Sequence, residues 1–103
     1  MNKFDLNNRT AVITGGAQGF GFDIAKKFLN SGANVIIWDN DEKVLQKSVK
    51  EINNPKLTSY LIDVSNFEKV NKTVIEISKA SNIDILINNA GITGPIAELW
   101  NYS

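Results

Sequence analysis

Thr14-Gly15-Gly16-Ala17-Gln18-Gly19-Phe20-Gly21 follows the short apolar stretch Thr10-Ala11-Val12-Ile13-Thr14 and runs straight into an amphipathic helical pattern. A strand, a glycine-rich turn and a helix N-terminus in that order make a site for a phosphate. Turn glycines let the backbone approach a ligand closely. The amides of a helix's first turn, which have no partner inside the helix, point at it. The spacing is Thr-Gly-x-x-x-Gly-x-Gly, distinct from the commoner Gly-x-Gly-x-x-Gly. Gly15, Gly19 and Gly21 would also suit close helix–strand packing with no ligand present. Their place behind a strand and before a helix favours the phosphate.

Outward from this loop, strands and helices alternate to the end of the chain. Candidate strands cover residues 10–14, 34–38, 57–62 and 84–87. The first, second and fourth are near-continuous apolar runs, as expected of parallel strands covered on both faces. Between them lie three helical patterns. Phe20, Ile24 and Phe28 recur every fourth residue beside Ala25 and Leu29, and Gly32 supplies the stop. Val44, Leu45, Val49 and Ile52 share a second face, with Pro55 just beyond it. Phe67, Val70, Val74 and Ile77 make a third, introduced by Ser65 and Glu68 as a capping box. Such repetition builds right-handed crossovers and a doubly wound parallel sheet in three layers, αβα. The expectation is one domain over residues 1–103, incomplete at its C-terminus.

Open α/β sheets bind ligands outside the carboxyl ends of their strands, where strand order reverses. The residues just past those ends are 15–21, Asp39, Asp63 and 88–91, so all four groups are expected on one rim. Asp39 can accept hydrogen bonds from the ribose hydroxyls of an adenosine and would repel a 2′-phosphate. It also fits a capping box with Glu42, although Asn40 or Asp41 can serve as the cap instead. Asp63-Val64 offers a carboxylate acceptor and an N–H donor to an adenine edge, if Ser65 takes the cap that follows. Asn88-Asn89-Ala90-Gly91 is readable as a polar turn closing a buried strand, with Gly91 allowing a close approach to a ligand.

Composition removes whole classes of chemistry. The 103 residues balance eleven basic against eleven acidic side chains, with no basic cluster to favour nucleic acid or a membrane surface. There is no cysteine and no histidine, which excludes disulfides, thiolate catalysis, serine–histidine triads and the usual transition-metal clusters. The opening Met1-Asn2-Lys3-Phe4-Asp5-Leu6 lacks the apolar stretch of a secretory signal, and no apolar run approaches a membrane span. A cytoplasmic location is expected.

The variant glycine loop and the Asn-Asn-Ala-Gly tetrad, each behind its own strand, resemble the short-chain dehydrogenase/reductase family. The resemblance runs from Phe4 to the end of the chain and implies a Rossmann-like fold. It implies that Gly15, Ala17, Gln18, Gly19, Phe20 and Gly21 bind a pyrophosphate, and that Asp39 binds the adenosine ribose. Asp63 and Val64 would hold the adenine, and Asn88, Ala90 and Gly91 would line the path toward the nicotinamide ribose. With Asp39 acidic and no lysine or arginine beside it, the cofactor expected is NAD in preference to NADP. Phe20 and Phe22 stand where smaller or more polar residues are usual in the family, and read as packing substitutions.

Members of the family move a hydride between the nicotinamide and a carbonyl or alcohol carbon, using a serine and Tyr-x-x-x-Lys. Neither tyrosine here, Tyr60 or Tyr102, has a lysine four positions later, so no catalytic residue and no metal ligand is assigned. The chain stops at Ser103 in what reads as an interruption, leaving the fourth strand with an unpaired edge. The resemblance implies the NAD-binding part of a short-chain oxidoreductase, inactive alone. Its full-length form would act on a small substrate (a 3-oxoacyl thioester, a secondary alcohol or a sugar) and would be a homo-oligomer. The alternative is a non-catalytic nucleotide-binding or regulatory module.

Overall fold

Thr10 to Thr14 form a strand in which every residue is buried, and the rest of the molecule is arranged about it. The computed structural model describes residues 6–17, 19–80 and 82–88. The elements run β1 (Thr10–Thr14), α1 (Gly19–Asn30), β2 (Asn34–Asp39), α2 (Glu42–Ile52), β3 (Leu57–Leu61), α3 (Phe67–Ala80) and β4 (Ile85–Asn88). The four strands form one parallel sheet in the order β3-β2-β1-β4. The chain steps outward from β1 to β3, then crosses back to place β4 on the other side of β1. The strand order therefore reverses between β1 and β4, the place where such sheets open a crevice.

Period-two alternation in the central strands divides the core into two. Ile13, Val35 and Ile37 face α1 and α2, meeting Ala25, Leu29 and Leu45. Val12, Ile36 and Trp38 face α3, meeting Ile62, Val70 and Ile77. This is the expected three-layer αβα arrangement, and it explains why β1 and β2 read as unbroken apolar runs. Each such fully buried aliphatic side chain contributes roughly 1.5–3 kcal/mol to burial. The outer strand β3 is only half-buried, in keeping with its more polar Thr58 and Ser59.

Several helix ends have an identifiable cause. α1 closes in a Schellman turn: Gly32 takes φ +95°, its N–H reaches the Leu29 carbonyl, and Ala33 N–H reaches Phe28. Asp41 caps the start of α2 by accepting from Val44 N–H at 3.2 Å, and Asn53 ends it in the left-handed region. The expected capping box of Ser65 and Glu68 is not formed. Asn66 caps α3 instead, accepting from Lys69 N–H at 3.2 Å, because Ser65 gives its hydroxyl to the Asp63 carboxylate at 2.7 Å.

Other expectations are corrected at element ends. Phe20 does not join the buried face of α1; it is 72% exposed, and Gly21, Ala25 and Leu29 form that face. Phe67 is likewise exposed, and Thr73 is buried in α3 between Val70 and Ile77. β2 extends to Asp39, β3 stops at Leu61, and β4 begins at Ile85. Asp84 precedes β4 as a clip: its carboxylate accepts from Thr10 N–H at 2.9 Å and lies 3.6 Å from Arg9. Among the described residues, no helix is long and apolar enough to cross a membrane.

Candidate functional site

In-register parallel pairing brings the strand ends to one rim. Thr14 stands opposite Trp38 on one side and Asn88 on the other, and Asp39 stands opposite Leu61. The Thr14 hydroxyl reaches the Ile87 carbonyl at 3.4 Å, tying the end of β1 to the end of β4. Gly15 and Gly16 N–H both donate to the Trp38 carbonyl, at 2.7 and 3.2 Å, so the loop starts by folding over β2. The Asp39 carbonyl accepts from Ile62 N–H at 2.9 Å, which brings Asp63 beside that same end.

The loop glycines do different work. Gly15 and Gly19 have φ +64° and +58°, in the left-handed region that disfavours a Cβ. Gly16 is needed for packing: a Cβ there would stand 2.6 Å from Ile37 Cγ2 and 3.0 Å from the Ile13 carbonyl oxygen. Among the described residues, a Cβ at Gly19 would meet nothing within 4 Å. Space is therefore open over Gly19, next to the first-turn amides of α1. Gly21 is buried on the inner face of that helix. No acidic residue occupies the first turn of α1, whereas Glu42 and Glu68 occupy those of α2 and α3. An anion at the loop would meet amide donors and no carboxylate from the helix's own first turn.

Asp39 is buried, with 5% of its surface exposed, at the carboxyl end of β2. Its two carboxylate oxygens accept from backbone: Oδ2 from Ala17 N–H at 3.3 Å, Oδ1 from Asp41 N–H at 3.1 Å. Asp41, not Asp39, caps α2, so the capping reading of Asp39 falls. A carboxylate has about four acceptor positions, and amide bonds to both oxygens leave room for hydroxyl donors.

Asp63 lies exposed at the other side of that strand end. One oxygen of its carboxylate, Oδ1, takes both the hydroxyl and the N–H of Ser65. Those two bonds, the hydroxyl's first, hold its carboxyl below the ordinary aspartate value. Val64 packs half-buried against the Trp38 and Ile62 cluster. Asn88 is the last residue of β4, not a turn residue, and lies on the rim beside Thr14. Gln18, Ala90 and Gly91 lie outside the described residues. Phe20, at the first turn of α1, is exposed beside the loop and so is not a packing substitution. Phe22 is half-buried, with Lys26 Nζ 4.6 Å from its ring centre. Sequence reasoning missed Ser48, buried on α2, whose hydroxyl donates to the Ala17 carbonyl.

The open cradle at Gly19 and the buried carboxylate of Asp39 stand on one rim, and residues 9–101 match the short chain dehydrogenase family. The chain belongs to the short-chain dehydrogenase family. A 3-oxoacyl-[acyl-carrier-protein] reductase of Chlamydia muridarum is 38% identical to it over 92 residues, covering 85% of this chain and 37% of that protein. A 3-ketoacyl-(acyl-carrier-protein) reductase from Brucella melitensis, solved with NADH, superposes with a TM-score of 0.71 at 34% identity. That match covers 79% of this chain and 33% of the reductase. RhlG of Pseudomonas aeruginosa, solved with NADP at its active site, gives a TM-score of 0.75 at 29% identity, covering 96% and 40%. This short-chain dehydrogenase chain thus spans less than half the length of these relatives. Their parallel sheet and flanking helices are the fold described above, and nicotinamide dinucleotides of both kinds occur among the solved neighbours.

Proposed function

We propose that this chain is the NAD-binding part of an oxidoreductase that moves a hydride between NAD(H) and a carbonyl or secondary alcohol. Asp39 carries the reading. A buried carboxylate, bonded to the glycine loop and set at the end of β2, joins a ribose acceptor to a phosphate cradle in one site. Gly15, Ala17, Gln18, Gly19, Phe20 and Gly21 would hold the pyrophosphate through loop and first-turn amides. Asp39 would accept from the adenosine ribose hydroxyls, with Asp63 and Val64 at the adenine. Asn88, Ala90 and Gly91 would border the nicotinamide ribose. Bound there, the nicotinamide would supply or accept the hydride.

The chain's own residues bind and orient. Tyr60 lies in β3, and no tyrosine of the sequence is followed four positions later by lysine, so no general acid is assigned. The whole domain over residues 1–103 is proposed as part of a larger cofactor domain. The second reading is a nucleotide-binding module without turnover.

Calorimetric titration of the chain with NAD and NADP tests the cofactor. NAD should bind, and NADP should bind at least about tenfold more weakly, since a 2′-phosphate would face the buried Asp39 carboxylate. Equal affinities would remove the NAD preference. Steady NADH production by the chain alone from NAD and alcohols would overturn both the binding-only role of these residues and the second reading.

A further inference from the structure

Ser48 lies in α2, 31 positions along the chain from Ala17, yet its hydroxyl donates to the Ala17 carbonyl. Both residues are buried, at 5% and 3% exposure. The Ala17 N–H is held in turn by Asp39 Oδ2 at 3.3 Å. Ala17 is therefore gripped at both its polar backbone atoms, by the end of β2 and by the inner face of α2. It stands between Gly16, tethered to the Trp38 carbonyl, and Gly19, over which space is open.

From this geometry we infer that Ser48 is a positioning residue for the phosphate loop, acting through the Ala17 carbonyl; this rests on the nucleotide reading above. A buried carbonyl with no donor is costly, and Ser48 supplies that donor from α2. Held this way, the Ala17 carbonyl oxygen faces α2. Without the hydroxyl, the carbonyl is expected to turn toward water, which brings a partial negative charge to the loop's open side while the Asp39 carboxylate stays held by Asp41 N–H. The pyrophosphate then meets a less ordered and less positive loop. Adenosine has no pyrophosphate and does not need that loop surface.

The test compares NAD, ADP-ribose and adenosine on the unaltered chain, Ser48→Ala and Ser48→Thr, by titration followed calorimetrically and by NMR shifts. Ser48→Ala should weaken NAD and ADP-ribose about tenfold and adenosine by less than about twofold, the loss of one positioned hydrogen bond. Ser48→Thr keeps the hydroxyl. A small open pocket bounded by Ala17, Phe22, Val44, Lys47 and Glu51 has room for its extra methyl, so it should restore binding of both pyrophosphate ligands. If Ser48→Ala does not fold, Ser48→Cys keeps the packing with a weak donor and should show the same ligand pattern. No binding of NAD or ADP-ribose by the unaltered chain would overturn the nucleotide reading and this inference with it. If the unaltered chain binds, equal affinities in the variant lacking the hydroxyl overturn this inference alone. An equal loss for all three ligands also overturns it, since that is the mark of a merely structural serine.

Discussion

Two glycines of one loop, Gly16 and Gly19, separate packing from ligand space. Gly16→Ala would drive a methyl into Ile37 and the Ile13 carbonyl, both in central strands that cannot give way easily. Overpacking of this kind costs about 1–3 kcal/mol, to be read from chemical denaturation midpoints. Gly19→Ala meets no neighbour among the described residues, so it should retain most of the fold and cost only a left-handed backbone, about 1–2 kcal/mol. If Gly16→Ala is the milder of the two, the loop's packing on β2 is not as described. Asp63 gives a second residue-scale test. Its carboxyl is lowered first by the Ser65 hydroxyl, then by the Ser65 N–H. A lowered folded-state value means the carboxylate stabilises the fold fully above the unfolded-state value. That contribution is lost as pH falls through the lower, folded-state value. Ser65→Ala should therefore raise the Asp63 titration midpoint, measured by carboxyl carbon NMR, toward the ordinary aspartate value. An unchanged midpoint would show that the hydroxyl does not set it.

At the scale of elements, helix ends are where sequence and structure part. Among the described residues, the apolar periodicities located the three helices and the four strands, because burial on one stripe or both faces leaves a mark on many residues at once. A cap is a single residue, and near α3 several compete. Asp63, Ser65 and Asn66 all suit the role, and the outcome turns on Ser65 bonding Asp63 more readily than the helix. Phe20 kept the helical period yet stayed outside, since Gly21, Ala25 and Leu29 make the face of α1 that packs on the sheet. Ser48 left no mark at all: one serine on an amphipathic helix says nothing until its partner carbonyl, distant in sequence, is seen. For α2 the assignment of Asp41 as cap is directly testable. Asp41→Ala should cost about 1 kcal/mol of stability by removing the acceptor for Val44 N–H. Asp41→Asn, which keeps the acceptor, should cost much less. Equal losses would move the cap to another residue.

For the whole molecule, strand order controls both where the rim lies and how firmly it is held. β1 and β2 each have a parallel neighbour on both sides and a helical layer on both faces. The glycine loop leaves from one of them and Asp39 from the other, so the proposed cofactor contacts grow from the part of the sheet least able to open. β3 pairs on one side with β2, and among the described residues it is an outer strand. Parallel pairing sends alternate amides of such a strand to its neighbour and the rest outward. Native-state amide exchange should therefore be slowest and uniform at Ala11, Val12, Ile13, Val35, Ile36, Ile37 and Trp38. Along residues 57–61 it should alternate between protected and fast. Uniform slow exchange along β3 would mean that its outer edge is covered in solution, and the sheet would then be wider than its four strands. Fast exchange in β1 would be more damaging. It would place the loop and Asp39 on strands that open readily, and a preorganised rim for a dinucleotide could not be built there.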